Sequence, residues 1–104
     1  MRLAWLYLKS NDVNEASQKT CSTIKAYAES LGAHDKFNLT LTDTFVRLMA
    51  QRMKPGEQNW QSFIKNNPDI AHNALTVLGK HFSKDLLMSE SARTSLIKPD
   101  IHPL

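Results

Sequence analysis

Large apolar side chains recur at helical spacing between residues 36 and 53, in the most regular stretch of the chain. The following residues fall on one side of a helical wheel: Leu41, Phe45, Leu48, Met49 and Met53. Asp43 and Arg47 lie on the other side, four residues apart with the acid first, as is typical of an exposed helix face. The pattern predicts a central helix with Phe45 in the middle of its buried stripe.

Three polar residues interrupt this apolar stripe, and each has a structural explanation. Asn38 stands where a helix needs an N-cap. Thr42 can donate a hydrogen bond to a carbonyl one turn earlier, and Arg52 can lay its stem on apolar surface near the C-terminal carbonyls. The stripe therefore still predicts a buried helix face.

A second long helix is predicted to begin after Asp12, which has Glu15 three residues later, and to end at about Leu31, before Gly32. Small or weakly apolar residues dominate its inner stripe: Val13, Ser17, Thr20, Cys21, Ile24, Tyr27, Ala28 and Leu31. Because long side chains of the central helix can fill such a groove, we predict that the two helices pack as an antiparallel hairpin.

Shorter apolar segments lie on either side of this hairpin. The run LAWLYL at residues 3–8 has no polar face and predicts a short first helix. Pro55 and Gly56 should end the central helix and turn the chain. Trp60, Phe63 and Ile64 then have the spacing of another short helix.

The next predicted helix spans residues 68–82, with Asn67 as its N-cap and Pro68 in its first turn. Its predicted buried face consists of Ile70, Ala71, Ala74, Leu75, Leu78 and Phe82. Ser83 and Ser89 are predicted to cap two short helical turns. Two prolines exclude a helix from residues 99–104, which are expected to form an extended strap on the surface or to be disordered.

These elements predict an all-α fold, a single-domain compact bundle of about five helices that covers residues 1–104. Of the 104 residues, 41% are hydrophobic and 22% charged, as in an ordinary folded domain. Only three are glycine, which disfavours a fold built from many hairpins.

The charge distribution argues against a nucleic-acid partner. The formal net charge is +3, but the thirteen Lys and Arg residues are scattered and do not form a phosphate-binding face. The apolar run at residues 3–8 is too short for a signal peptide or a membrane span. A single cysteine, Cys21, fits a reducing compartment, so we expect a cytoplasmic protein without a membrane partner.

Side chains with catalytic or metal-binding chemistry are present, but their spacing favours other roles. The four histidines, at positions 34, 72, 81 and 102, include no pair three or four residues apart, so we predict neither a metal nor a cofactor. Cys21 lies on a helix packing face, where a thiol acts as a small hydrophobe. No nucleophile elbow, phosphate loop or dinucleotide fingerprint occurs, so the sequence favours binding over catalysis and assigns no catalytic residue.

Several polar residues are expected to face inward or to lie at segment junctions, where they could bind a ligand. These candidates are Tyr7, Asn38, Thr42, His81, Arg93 and Asp100. The alternative is structural: Arg93 would pair with Asp100 to hold the strap, and Asn38 and Thr42 would satisfy nearby backbone.

Two functions remain open on this basis. The first is a binding or assembly module that self-associates as a symmetric dimer through the first helix, with Trp5, Leu6 and Leu8 at the interface. The second is a protein that binds an unidentified small molecule, or an enzyme, with a pocket between the central helix and the C-terminal segment.

Four motifs also resemble those of a group of small bacterial helical proteins to which no function is assigned. They are LAWLYL at 3–8, KFNLTLTDTFVRLM at 36–49, HFSKDLLMSESAR at 81–93 and KPDIHPL at 98–104. In that group a histidine often stands at the position of Asn38, and more residues precede the position of Leu3. The resemblance implies an all-helical fold and carries over no catalytic residue.

Overall fold

The computed structural model describes residues 2–54 and 59–104. In chain order, the helices of these ranges are α1 Arg2–Ser10, α2 Val13–Ser30, a 3-10 helix His34–Lys36, α3 Leu39–Arg52, α4 Trp60–Asn66, α5 Pro68–His72, α6 Ala74–Leu78, α7 Lys84–Leu87 and α8 Glu90–Thr94. Neither range contains a strand, and the predicted all-α class is confirmed. Within them, no helix has the length and apolar character that crossing a membrane requires.

Helices α2 and α3 pack as the antiparallel hairpin that the sequence predicts. Near the start of α2, Ser17 contacts Asp43 and Asn14 contacts Arg47, so residue numbers rise along one helix as they fall along the other. The buried side chains of α2 are all small: Ala16, Ser17, Thr20 and Cys21. Small side chains let the longer side chains of α3 approach closely.

The last turns of α2 depart from the predicted inner stripe. Tyr27 is 66% exposed and Leu31 is 63% exposed, although both were expected to face inward. Leu39, the first residue of α3, lies in the same cleft as Cys21, so the C-terminal part of α2 extends beyond the start of its partner. Without a facing helix, the stripe there remains in contact with solvent.

The core lies between the hairpin, α1 and the shorter helices α4 to α7. Its largest fully buried apolar side chains are Phe63, Phe82, Met49, Leu78 and Val46. Phe45 is buried in the same cluster, as predicted. Helix α1 joins the core through Trp5, whose ring makes an edge contact with Trp60 at a centroid separation of 6.3 Å.

The helix predicted over 68–82 is divided into α5 and α6. Asn73 has φ −134° and ψ 39°, which is not helical, and this break follows the tendency of asparagine to leave a helix. Ile70, Leu78 and Phe82 are buried as predicted, and Val77 is buried as well. Leu75 and Ala71, which were predicted to be inside, are exposed.

Most of the predicted helix caps are confirmed. Four cap side chains accept a backbone N–H from three residues later: Asp12, Asn38, Ser83 and Ser89. Gly32 has the left-handed φ of 68° expected after α2. Asn67 precedes α5, but its side chain donates to the Phe63 carbonyl and makes no cap hydrogen bond. The predicted Pro55–Gly56 turn lies outside the described residues.

Residues 95–104 follow α8 without forming a helix and include the predicted strap at 99–104. We refer to residues 95–104 as the strap, and two regions of the domain hold it. The Thr40 hydroxyl donates to the Ser95 carbonyl at 2.5 Å and accepts the Ile97 N–H at 3.1 Å. Farther along, the Ile101 N–H donates to the His81 carbonyl at 2.9 Å. The strap thereby fixes α8 beside the start of α3.

Candidate functional site

A cleft of about 630 Å³ opens between α2, the start of α3 and α8. Its lining combines apolar, hydroxyl and charged side chains: Cys21, Ser22, Lys25, Glu29, Phe37, Leu39, Arg93 and Thr94. The α2 residues lie one turn apart at positions 21, 25 and 29, so their side chains point to the same side of the helix. The volume is within the range of small-molecule sites.

A second space of about 400 Å³ continues this cleft along α2 toward its N-terminus. The two spaces share Cys21, Ser22 and Leu39. The second is also lined by Asn14, Ser17, Gln18, Asp43, Arg47 and Leu96. We refer to both together as the α2–α8 cleft.

A polar network closes the N-terminal end of the α2–α8 cleft. The Ser17 hydroxyl donates to Asp43, and Arg47 Nε donates to both Asp43 oxygens at 3.1 and 3.2 Å. Arg47 Nη2 reaches the Asn14 side-chain oxygen at 3.0 Å. Because the Asp43 side chain is only 14% exposed, these partners stabilise a carboxylate that water reaches poorly.

Cys21 lies at the centre of the cleft lining, and its chemistry is that of a neutral thiol. Burial raises the pKa of the Cys21 thiol above its ordinary value, although a hydrogen bond with Ser17 acts in the opposite direction. The thiolate is the nucleophilic form of cysteine. At neutral pH the side chain therefore contributes apolar surface to the cleft.

Two cations, Lys25 and Arg93, line the 630 Å³ space, and we refer to the part of the cleft lined by these residues and Glu29 as its outer end. Lys25 makes no ion pair or hydrogen bond with another residue in 2–54 or 59–104. Arg93 pairs with Glu90 at 3.6 Å, and the Glu90 side chain is 84% exposed. This ion pair is weak because solvent screens it. Glu29 is the carboxylate that lines the same end.

Of the six residues predicted to bind a ligand, Arg93 is the member that lines the α2–α8 cleft. Tyr7 lines a neighbouring space on α2, with its hydroxyl 3.1 Å from that of Thr23. Asn38 caps α3 and donates to the Leu87 carbonyl at 2.7 Å. Thr42 donates to the Asn38 carbonyl at 2.9 Å.

The remaining two predicted residues hold the strap. His81 Nδ1 is 3.0 Å from the His102 carbonyl oxygen. Asp100 accepts the Ser83 N–H at 2.7 Å, and hydrogen bonds from Ser83 lower the pKa of the Asp100 carboxyl. The predicted Arg93–Asp100 ion pair is therefore not formed. Asp100 accepts a hydrogen bond from Ser83, and Arg93 forms an ion pair with Glu90.

Sequence reasoning missed most of the cleft lining. Lys25, Ser22 and Phe37 were not among the predicted site residues, although the turn-by-turn series at positions 21, 25 and 29 was visible in the sequence. That series indicates a mixed polar face on α2. It does not reveal that α8 covers the face from the other side.

A separate apolar groove of about 380 Å³ lies among α6, α7 and the strap. Three large side chains that line it, Leu75, Met88 and Ile101, are 60%, 57% and 48% exposed. Of the predicted interface residues, Leu6 is 47% exposed and Leu8 is half-buried. Trp5 is only 3% exposed and packs in the core, so it offers no surface to a partner.

Within residues 2–54 and 59–104, no group of three or more His, Cys, Asp or Glu side chains is arranged to hold a metal ion. The fold and the cleft define a small all-α domain with a ligand-sized amphipathic cleft. Comparisons with protein families, curated proteins and solved structures find no match to this chain. Its function is therefore inferred from the geometry of its own residues.

Proposed function

We propose that the protein is a small-molecule-binding domain whose ligand occupies the α2–α8 cleft. The observation that carries this proposal is the continuous lining from three segments, with an apolar wall at Phe37 and Leu39 and polar groups at both ends. Ligand sites in proteins typically combine a concave apolar surface with a few polar groups that fix orientation. A ligand bound there would contact α2, the start of α3 and α8.

Binding fits this lining better than catalysis does. Cys21 is held as a neutral thiol, and the Ser17 hydroxyl donates to Asp43, which is itself paired with Arg47. The three histidines whose side chains the structure describes, His72, His81 and His102, do not line the cleft. The lining hydroxyl that donates to a carboxylate is thus that of Ser17, and its acceptor Asp43 is already neutralised by Arg47 and is a poor general base.

A cleft-filling substitution tests this proposal. Ser22 is exposed and lines both spaces, so Ser22→Trp should fill the cleft without disturbing the core. Fragment binding, followed by amide chemical shifts of Ser22, Leu39 and Thr94, should be seen with wild type and lost with Ser22→Trp. Ser30→Trp is the matched control, because Ser30 is exposed on α2 and outside the cleft lining. Equal binding by both variants would refute the site.

A second proposed function is self-association as a symmetric dimer. The apolar groove of α6, α7 and the strap supports it, because Leu75, Met88 and Ile101 leave a contiguous apolar surface in water. Projecting side chains beside a groove can pair with the same surface of a second copy by a two-fold rotation. The alternative dimer interface is the exposed surface of α1 around Leu6.

Sedimentation at micromolar concentration distinguishes these two surfaces. Met88→Lys should give a monomer, whereas Leu31→Lys should remain a dimer, since Leu31 is an equally exposed leucine outside the groove. A monomer from Leu6→Lys instead would move the interface to α1. A monomeric wild-type protein would remove the proposal.

We also propose that the protein is located in the cytoplasm. It is supported by the single cysteine, Cys21, which is buried and free. Cell fractionation should recover the protein with cytoplasmic markers. Recovery in an extracellular or envelope fraction would contradict this expectation.

A further inference from the structure

The charges at the outer end of the α2–α8 cleft favour a negatively charged ligand. Lys25 has no partner among the described residues, and Arg93 is held by one exposed carboxylate at 3.6 Å. The Arg93 side chain is 32% exposed, so most of it is shielded from water. Its ion-pair partner is Glu90, at 3.6 Å. Charge-assisted hydrogen bonds to a compact anion would satisfy both cations.

The wall beside these cations is apolar. Phe37 is buried and lines the cleft, together with Leu39 and Cys21. Ser22 and Thr94 add hydroxyl-bearing side chains to the lining. A ligand that fills this space must therefore be apolar at one end and charged at the other.

We propose that the ligand is a small organic anion whose carboxylate or phosphate group binds Lys25 and Arg93 and whose apolar body lies against Phe37 and Leu39. This inference rests on the proposed binding function. Each functional group of such a ligand finds a matching side chain in the cleft. A free inorganic anion would leave the apolar wall uncovered, and a neutral apolar molecule would leave Lys25 without a partner and Arg93 with Glu90 alone among the described residues.

Two carboxylates near the cations, Glu29 and Glu90, should lower the affinity of the cleft for an anion. Glu29 lines the cleft one turn after Lys25, so it repels a bound anion. Glu90 competes with the ligand for Arg93. Removal of either acidic charge should strengthen anion binding, whereas removal of the Lys25 charge should weaken it.

The binding experiment uses four probes and the full chain. Phenylbutanoate and phenyl phosphate are the anionic probes, and the amide and amine analogues of phenylbutanoate are its neutral and cationic counterparts. Amide proton–nitrogen correlation spectra follow each titration. Phenylbutanoate should shift the amides of Ser22, Lys25, Leu39 and Thr94 and should bind about three- to tenfold more tightly than its amide. Comparison of the two anionic probes identifies whether carboxylate or phosphate is preferred.

Substitutions at three exposed positions test the direction in which the affinity for phenylbutanoate changes. Lys25→Gln should weaken phenylbutanoate binding about three- to fivefold, and Glu29→Gln should strengthen it about twofold. Lys65→Gln removes the same charge from α4, outside the cleft, and should leave the dissociation constant unchanged. Higher salt should reduce the difference between wild type and Lys25→Gln, because salt screens the attraction.

The outcomes separate this inference from the proposed function on which it rests. If no probe shifts the cleft amides, both the binding site and the ligand class are refuted. If the amide or amine binds in the cleft as tightly as the carboxylate, binding stands and the anionic class is refuted. Unchanged affinity in Lys25→Gln would also overturn the anionic class, as would weaker binding in Glu29→Gln.

Discussion

Asp43 is the residue that ties the two long helices together. Its carboxylate accepts hydrogen bonds from Ser17 on α2 and from Arg47 on its own helix, and Arg47 extends the contact to Asn14. Such a network is costly when it is left incomplete, because the remaining partners are poorly solvated. Asp43 therefore fixes the pairing of α2 with α3 and shapes the inner end of the cleft.

Replacement of Asp43 by alanine should destabilise the domain by about 1 to 3 kcal/mol, because the buried Ser17 hydroxyl and Arg47 lose their shared acceptor. Urea unfolding measures this loss. Asp35→Ala, which removes an exposed carboxylate, should change the free energy of unfolding by less than about 0.5 kcal/mol. Equal effects of the two substitutions would show that the network contributes no stability.

Cys21 should react slowly with alkylating reagents in the folded protein. Its pKa lies above the ordinary value of 9.0 because the thiol is buried, so the thiolate fraction at pH 8 is smaller than in the unfolded chain. Stability linked to this group is fully present below the unfolded pKa and falls as the pH rises toward the folded pKa.

Iodoacetamide labelling at pH 8 measures this protection. The folded chain should react at least about tenfold more slowly than the chain in guanidinium. The rate should still be rising above pH 9. A folded-state rate equal to that of the unfolded chain would contradict the account of Cys21 as an apolar cleft residue.

At the residue scale, sequence reasoning succeeds where the chemistry is local. Asp12, Asn38, Ser83 and Ser89 are predictable as caps because each cap bond joins residues three positions apart. The Ser17–Asp43 bond joins residues 26 positions apart and has no such local signal.

At the element scale, apolar periodicity identifies the long helices and fails at their interruptions. Asn73 divides the segment 68–82 into α5 and α6, although the buried residues Ile70, Val77 and Leu78 keep the i, i+7, i+8 spacing of a continuous helix. The exposed end of α2 has a related cause. Its stripe is regular, but whether a stripe is covered depends on where the partner helix begins.

The strap is the element whose attachment places α8 against the cleft. Thr40 supplies both a donor and an acceptor to it, so Thr40→Val should remove two hydrogen bonds with little change in shape. We expect a loss of about 1 to 3 kcal/mol and faster hydrogen exchange at the Ile97 amide.

Thr42→Val is the matched control for this substitution. Thr42 is equally buried, but its hydroxyl bonds within the α3 segment, to the Asn38 carbonyl. Exchange at Ile97 should therefore remain as slow as in wild type. Fast exchange at Ile97 in both variants would show that the strap does not depend on Thr40.

At the scale of the whole molecule, composition and helix pattern predict the all-α class, but they do not predict the cleft. Its lining comes from α2, the start of α3 and α8, and α8 is held beside α3 by its own packing and by the bonds of the strap to Thr40. The sequence indicated a pocket between the central helix and the C-terminal segment. The longest wall of the observed cleft belongs to α2, and Arg93 is the candidate residue that lines this cleft.

The central claim is that the α2–α8 cleft binds a small molecule, and native mass spectrometry of the gently purified protein tests it most directly. Wild type and the control Ser30→Trp should show the chain with an added small-molecule mass, whereas Ser22→Trp should show the chain alone. The same spectra report whether the protein is a monomer or a dimer. A bare chain in all three samples, or an added mass that persists in Ser22→Trp, would contradict the account.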